Sequence, residues 1–259
     1  MTFLSQRDNR ETIDSGPSAA ATVPLDGGRW LVAQYWPTSL FSLKMSQATS
    51  SVGKTLLVPT MYAIKMALVD AAFRLGLSDE ECASVVTSLA FVPVRIRPPE
   101  RAVVTHTFVK IRQEPKTPDP LKPYGSSIAY REMVHYAGEW QWAFDTSKSQ
   151  QEFIGLLKQL LVRVSYIGRR GSFVQFMGME WTDTLPEGYT QPNAENGFSM
   201  PARWHVATLD DFGPEASLGV LSSYSSARAI RGRHRIFVQT IVPLGLVNAG
   251  PGFSEYSSG

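Results

Sequence analysis

The spacing of hydrophobic residues changes twice between positions 140 and 176, which indicates a strand, a helix and a second strand. Alternation of large apolar with smaller or polar residues predicts a strand with one buried face at Trp140, Trp142 and Phe144. Ser149 and Glu152 have the spacing of a capping box, so we expect a helix to begin there. The helix carries an apolar stripe that must pack on a sheet: Phe153, Leu156, Leu157, Leu160, Leu161 and Val164.

Cap and turn residues set the boundaries of two earlier helices. Thr60 is placed to cap a helix that ends at Gly76. Ser78 and Glu81 form a second capping-box pattern, which predicts a shorter helix up to about Leu89. The strands predicted around these helices are 29–45 with a break at Pro37, 91–97, 102–112, 204–209 and 236–242.

The remaining segments are predicted as connections. Residues 128–136 and 139–144 favour a hairpin around Ala137-Gly138. The preceding stretch 113–127 is rich in proline and indicates a long extended loop, of the kind that is usually functional or disordered. Residues 183–202 are rich in Pro, Gly and Asn and are interpreted as an insertion.

The order strand, helix, strands occurs twice along the chain, which predicts an α+β fold with a ferredoxin-like or RRM-like split β-α-β core. We expect this core to span 29–250, with long loop insertions near 113–127 and 183–203. Residues 1–28 are polar and indicate a flexible arm, and the Gly/Ser-rich end, 251–259, is predicted to fray. Such a fold hosts many functions, so the site must decide the activity.

Composition excludes several classes of protein. A net charge of +2 gives no general attraction to polyanions, so any nucleic-acid site must come from local clusters. One cysteine excludes a disulfide framework and a multi-cysteine zinc site. No apolar run approaches the ~18 residues that span a bilayer. We therefore expect a soluble, cytoplasmic protein without a metal or another cofactor.

Residues 48–55 match a relaxed P-loop pattern, with Ala48 in place of the first glycine and Lys54 at the lysine position. A P-loop passes directly into a helix, but Pro59 follows here where that helix should continue unbroken, and proline costs about 3 kcal/mol inside a helix. The pattern therefore argues against nucleotide binding of this kind.

Basic residues provide the stronger functional signal. Eight Lys or Arg against four Asp or Glu lie between positions 91 and 135, and further clusters occur at Arg169-Arg170 and at 228–235. Contacts from Lys and Arg to phosphates dominate the affinity of proteins for nucleic acids. For each residue alone a solvated surface is the better interpretation, so convergence on one surface is the hypothesis. Aromatic residues that can stack on bases are Tyr35, Trp36, Tyr62, Trp140 and Trp142, although alternation favours core packing for the last two.

Three short motifs resemble the Cas5 family of the RAMP superfamily, whose members are subunits of class 1, type I-like CRISPR effector complexes. A strand ending in Phe41-Ser42-Leu43-Lys44 precedes a proline-led helix at 57–68, as at the start of Cas5 proteins. The strand Tyr130-Arg131-Glu132-Met133-Val134 and the turn at 166–170 are similar to two further family motifs. The resemblance covers about 29–176, but Gly171-Ser172 departs from the acidic residue common after the turn.

The resemblance implies a non-catalytic subunit that holds the 5′ handle of a CRISPR RNA and caps the backbone filament, with a thumb-like hairpin near 113–127. Its implied partners are CRISPR RNA, a Cas7-like backbone subunit, a Cas8-like large subunit, and target DNA through the assembled complex. The residues that we expect to contact RNA are Lys44, Lys54, Tyr62, Lys65, Lys110, Arg112, Lys116, Lys122, Arg131, Arg169 and Arg170.

Two other functions stay open at the level of sequence. One is a metal-independent endoribonuclease that processes precursor CRISPR RNA, with His106 or His135 acting beside Lys110 or Arg131. The other is a small-molecule enzyme on a ferredoxin-like sheet, which predicts a closed pocket rather than an open basic groove.

Overall fold

The computed structural model describes residues 29–45, 53–113, 121, 124–169, 171–192, 204–222 and 226–259. Its architecture is mixed α/β, with antiparallel sheets and few helices. The elements, in chain order, are β1 (Trp30–Pro37), α1 (Met61–Leu75), α2 (Asp79–Ala90), β2 (Val94–Arg97), β3 (Arg101–Gln113), β4 (Gly125–Ala137), β5 (Trp140–Asp145), α3 (Gln151–Arg163), β6 (Val174–Thr182), β7 (Gln191–Pro192), β8 (His205–Phe212), α4 (Leu218–Leu221), β9 (Arg235–Val242), β10 (Gly245–Gly250) and β11 (Phe253–Ser257).

The described strands form three sheets. The first has the order β2-β5-β1-β6, and all its neighbouring strands are antiparallel. The second has the order β10-β11-β3-β4 and the third the order β7-β9-β8. Helix α1 packs against α2, α3 and β8, and α3 packs against β6, so α1 and α3 together connect the first sheet to the third. The predicted N-terminal arm, 1–28, lies outside the described residues.

Alternating aromatic residues build the core of the first sheet, as predicted. Trp140, Trp142 and Phe144 are fully buried on the face that the helices cover. Tyr35 of β1 stacks on Trp142 with ring centroids 4.0 Å apart, and its hydroxyl donates a hydrogen bond of 2.7 Å to the Leu161 carbonyl of α3. This contact joins the sheet to the helix through both an apolar surface and a satisfied buried polar group.

Two of the three predicted helix starts are confirmed. The Thr60 side chain accepts a hydrogen bond from the Ala63 N–H, and Ser78 and Glu81 form a reciprocal capping box. The box predicted at Ser149 is wrong. The Ser149 N–H donates to the Thr146 carbonyl and so belongs to a turn, and α3 begins later without a side-chain cap.

The predicted hairpin around Ala137-Gly138 is also wrong. Strand β4 pairs with β3 along the whole ladder from Arg101–Ala137 to Gln113–Gly125, whereas β5 pairs with β1 and β2. Gly138, at φ +120°, is therefore the point where the chain passes from the second sheet to the first. The long hairpin leaves only 114–124 as its connection, and of these residues the structure describes Leu121 and Tyr124.

The C-terminal residues are an integral strand rather than a frayed end. Strand β11 pairs with β3 from Phe253–Thr105 to Ser257–Arg101, and β10 pairs with its other side. The local sequence does not indicate this strand because the Pro, Gly and Ser residues around it are typical of turns, whereas the pairing is supplied by a distant edge.

The insertion predicted at 183–203 is described up to residue 192. Leu185 and Tyr189 pack on Trp30 and Val32, on the face of the first sheet that points away from the helices. The Thr190 N–H also donates to the Ile96 carbonyl at 2.8 Å, which attaches this segment to the edge strand β2. This part of the insertion therefore covers a section of the sheet that would otherwise be open.

Candidate nucleic-acid interface

The segment 41–57 brings basic residues from different parts of the chain together. Phe41 and Val134 exchange backbone hydrogen bonds of 2.9 and 2.7 Å, which attach the segment to strand β4. Lys44 lies opposite Thr55 in a single antiparallel bridge, so the two ends of this segment are adjacent. Residues 46–52 between them are not described.

Thr55 fixes the position of this segment through three hydrogen bonds. Its N–H donates to Glu132 at 2.8 Å, its hydroxyl accepts from the Leu43 N–H at 2.9 Å, and the hydroxyl donates to the Leu56 carbonyl at 3.0 Å. Gly53 forms a parallel bridge with Arg131, and a Cβ added at Gly53 would be in ordinary contact with a guanidinium nitrogen, 3.9 Å away. The contacts place Lys44, Lys54 and Arg131 in one region of the surface.

Arg131 and Arg169 form a pair of like charges at this surface. The Arg131 Nε is buried and has no hydrogen-bond acceptor among the described residues. Burial, and secondly the charge of Arg131, lower the pKa of Arg169. Two neighbouring cations repel each other, so an anion bound there would be stabilised by both.

A pocket of about 580 Å³ lies next to this pair, and we call it the Tyr62 pocket. Its polar and aromatic walls include Lys44, Tyr62, Tyr166, Arg169 and Arg235. The Arg235 guanidinium lies over the Tyr62 ring, 4.1 Å from the ring centroid, and forms an ion pair with the buried Asp210. The third sheet thus supplies one wall of the pocket through Arg235. The sequence indicates only a basic cluster at 228–235 and does not single out this arginine.

A second cavity, of about 680 Å³, lies on the other side of the segment and includes Lys54, Glu132, His205 and Tyr256 in its walls. The His205 Nδ1 donates to the Leu244 carbonyl at 2.8 Å, which fixes the tautomer of the neutral ring. Burial, and secondly the charge of Glu132, raise the pKa of Tyr256. The lysine and the carboxylate in these walls oppose each other in sign, so this cavity favours an anion less than the Tyr62 pocket does.

The structure corrects the expectation for Lys65. Its side chain is fully buried and its ammonium lies 2.8 Å from an Asp211 carboxylate oxygen, so it cannot reach an RNA phosphate. Burial lowers the pKa of Lys65 and raises that of Asp211. The local sequence does not indicate that Lys65 is buried, because its partner lies 146 positions further along the chain.

The other predicted RNA contacts lie in two separate places, apart from three that the structure does not describe. Lys44, Lys54, Tyr62, Arg131 and Arg169 lie around the segment 41–57, whereas Lys110 and Arg112 are exposed on the distal part of β3. Beside these two, the rings of Phe108 and Tyr130 lie 5.1 Å apart across the hairpin. The remaining predicted contacts, Lys116, Lys122 and Arg170, lie outside the described residues.

The residues proposed for RNA cleavage are not brought together. His106 lies 3.3 Å from Glu132, and Lys110 follows on the same face of β3, about 13 Å away by the rise of a strand. Arg131 pairs with Thr107 and so belongs to the opposite face of the hairpin, as does His135. No group of His, Cys, Asp and Glu suited to a metal ion occurs in the part of the chain that the structure describes.

The relaxed P-loop does not continue into a helix. Lys54 lies in an extended segment, and α1 begins only at Met61, after the Thr60 cap. The geometry agrees with the argument from Pro59 against a phosphate-binding loop of that class. Residues 48–52 of the pattern are outside the described ranges.

Comparison with known proteins identifies a relative of the predicted kind. No protein-family model matches the chain. A curated protein named CRISPR-associated protein Cas5, from Archaeoglobus fulgidus, is 25% identical over 202 residues, which cover 76% of this chain and 86% of the relative. The resemblance to Cas5 proteins that the motifs predicted is confirmed by this similarity.

Two solved structures align with most of this chain. A CRISPR protein from Archaeoglobus fulgidus aligns with a TM-score of 0.46 and 12% identity, over 89% of this chain and 92% of that chain. A chain of a CRISPR RNA-guided surveillance complex aligns with a TM-score of 0.41 and 14% identity, over 82% of this chain and 89% of that one. Among the described helices, none has the length and apolar character required to cross a membrane.

Proposed function

We propose that this chain is a Cas5-type subunit of a CRISPR RNA-guided complex, in which it binds the 5′ handle of the guide RNA and caps the filament of backbone subunits without catalysing a reaction. The similarity to a Cas5 protein over three quarters of the chain supports the family. The Arg131–Arg169 pair is the observation that carries the binding role. Cas7-like and Cas8-like subunits, and target DNA through the assembled complex, are the partners that this role entails.

The proposal includes a ferredoxin-like core. With its two helical connections, the element order β1, α1–α2, β2, β5, α3, β6 is that of a β-α-β-β-α-β unit. In the sheet, the last strand of this unit lies beside the first, and the third lies between the first and the second. The β3–β4 ladder is then an insertion between the second and third core strands, and it has the place of the thumb.

Phosphate binding at the Arg131–Arg169 pair follows from its charges. RNA carries one negative charge per nucleotide, and a phosphate between two guanidinium groups would replace their repulsion by two charge-assisted contacts. It would also supply the acceptor that the buried Arg131 Nε lacks among the described residues. Lys44 and Lys54, on the adjoining segment, extend the positive surface in two directions for the neighbouring phosphates.

The proposed RNA surface differs from the sheet face used by RRM domains. RRM domains stack bases on the exposed face of a four-stranded sheet. In this chain Leu185 and Tyr189 cover part of the corresponding face, and the Tyr189 hydroxyl donates to Gln141 at 2.7 Å. RNA is therefore expected at the edge formed by residues 41–45 and 53–57 and the turn 166–169, not across the covered part of the sheet.

A binding role is favoured over cleavage by the spacing on the hairpin. A general base must lie within hydrogen-bond reach of the proton that it removes, with a second group close to the same phosphate. On each face of the hairpin the histidine and the nearest proposed cation are four strand positions apart, about 13 Å. At this spacing between Cα positions neither histidine is adjacent to its proposed cation, so the hairpin does not favour a paired acid–base mechanism.

Expression of the chain together with a CRISPR transcript and a backbone subunit tests this function. We expect the purified protein to carry RNA of uniform length whose 5′ end is the repeat-derived handle. An Arg131→Gln, Arg169→Gln double variant should lose this RNA while keeping its circular-dichroism spectrum. Protein that is free of RNA, or that carries RNA of random sequence and length, would contradict the proposal.

A further inference from the structure

The Tyr62 pocket has the volume and the mixed walls of a small-ligand site, which binding of an RNA backbone alone does not require. It is bounded by the segment 42–44, by the first turns of α1, by the turn 166–169 and by Arg235 of the third sheet. Its volume of about 580 Å³ falls within the range of small-ligand sites, about 300–1,000 Å³. Aliphatic walls at Leu56 and Met66 complement the tyrosine rings, so the interior offers both apolar and cationic surface.

The charge balance of this pocket favours an anion. Lys44 and Arg169 have no ion-pair partner among the described residues, while Arg235 is neutralised by Asp210. Asp70 also lines the pocket, but its carboxylate lies 2.8 Å from Arg74, one helical turn further along α1. Among the described residues, two uncompensated cations therefore face the same cavity.

Arg235 is held in place before any ligand binds. The buried Asp210 accepts a hydrogen bond from its Nε, and Tyr62 supports the guanidinium plane from below. Fixing a rotamer-rich side chain in advance reduces the entropy lost on binding, which is typical of a recognition residue. The sheet β8–β9, which lies outside the region of motif resemblance, thereby becomes part of the site.

We propose that the Tyr62 pocket receives one ribonucleotide of the bound strand, turned out of the path of its neighbours. This inference rests on the proposed function, because Arg169 belongs both to the Arg131–Arg169 pair and to the wall of the pocket. The phosphate lies against Lys44 and Arg169, and the base packs on the ring and aliphatic walls beside Arg235. Stacking of unpaired bases on aromatic and guanidinium groups is the usual way in which single-stranded RNA is recognised.

The test combines pocket-filling variants with RNA that lacks one base at a time. Ala63 lines the pocket from α1, so Ala63→Trp occupies the cavity without removing a charge. Ala83 is similarly half-buried on α2 and lines neither of the two cavities described, so Ala83→Trp is the matched control. Binding of single-stranded handle RNA is measured by fluorescence anisotropy on the full chain, with folding checked by circular dichroism.

We expect one abasic position to weaken binding to the unaltered protein by about fivefold or more, in line with the value of stacking one base. Ala63→Trp should bind intact RNA as weakly as the unaltered protein binds this abasic RNA. Removal of that base should then cause no further loss of affinity, so the abasic penalty, the ratio of the two affinities, should disappear. Ala83→Trp should keep the penalty. Arg235→Lys, which retains the charge beside Asp210, should reduce the penalty at the same position.

An abasic profile that is unchanged in Ala63→Trp would overturn the pocket proposal while leaving RNA binding intact. If the unaltered protein binds no RNA, the proposed function fails, and the pocket proposal fails with it. The two failures are therefore distinguished by the same titration.

Discussion

The Lys65 ammonium lies inside the protein, 2.8 Å from the Asp211 carboxylate, and joins α1 to β8. Burial lowers the pKa of Lys65 and raises that of Asp211, so desolvation of the two charges outweighs their attraction in both groups. A buried ion pair of this kind fixes how two elements meet but contributes little net stability.

Breaking this pair should destabilise the fold without a direct effect on RNA contacts. We expect Lys65→Met to lower the free energy of unfolding by about 3–5 kcal/mol, because it leaves Asp211 buried and unpaired. The double variant Lys65→Met, Asp211→Leu should recover to the unaltered value or exceed it. Urea denaturation measures both, and a double variant that is less stable than the single one would contradict this account.

The loss of stability in Lys65→Met should depend on pH in a defined direction. Because the folded-state pKa of Asp211 is raised, its protonation stabilises the folded state at low pH, and this contribution is lost as pH rises through that pKa. The stability deficit of Lys65→Met should therefore shrink as pH falls from neutral toward the raised pKa of Asp211. Denaturation series at several pH values, referred to the unaltered protein, test this.

Gly138 connects the second sheet to the first in a conformation that other residues rarely adopt. It has φ +120°, and an added Cβ would lie 3.3 Å from the Cβ of Pro99. We expect Gly138→Ala to cost about 1–3 kcal/mol of unfolding free energy. Gly155 in α3 has open space around its Cβ position, so Gly155→Ala should instead stabilise by about 0.4–1 kcal/mol. Equal effects of the two substitutions would show that the crossing at Gly138 is not strained.

The C-terminal strand should be required for stability. Removal of residues 251–259 deletes β11, which leaves one edge of β3 unpaired and removes the partner of β10. The truncated chain should therefore show a lower thermal midpoint and faster proteolysis near residues 101–105. Unchanged protection there would mean that the end of the chain is dispensable, as the glycine- and serine-rich sequence suggested.

Incubation with precursor CRISPR RNA should leave the RNA intact, with or without a metal chelator, since the hairpin holds each histidine far from its proposed cation. The control variants His106→Ala and His135→Ala should behave like the unaltered protein. Cleavage that disappears in either variant would instead favour the endoribonuclease hypothesis.

Local signals in the sequence predicted the elements better than their pairing. Thr60, Ser78 and Glu81 cap helices as expected, because capping depends on residues within one turn. The partner of β4 could not be read from Ala137-Gly138, since a short turn can close a hairpin or pass between sheets. The outcome depends on the strands that each side pairs with, which are β3 for β4 and β1 and β2 for β5.

Local signals also indicated some residues of the candidate site, whereas the residues that depend on distant partners could not be identified. The motifs around Lys44, Arg131 and Arg169 are local, and the structure brings these residues to one surface. Burial of Lys65 depends on its ion pair with Asp211. Of the four arginines between 228 and 235, Arg235 lines the Tyr62 pocket and is held there by Tyr62 and Asp210. The Lys65–Asp211 and Tyr62–Arg235 relationships each join positions more than 140 residues apart, and no periodic pattern reports them.

The salt dependence of RNA binding tests the central claim most directly. We expect the logarithm of the association constant to fall linearly with the logarithm of salt concentration, and the Arg131→Gln, Arg169→Gln variant to reduce this slope by about 0.7 for each phosphate that is no longer neutralised. Arg233→Gln removes one exposed arginine that is paired with Glu215, so it should leave the slope unchanged. A slope that is the same in all three proteins would contradict a phosphate site at the Arg131–Arg169 pair.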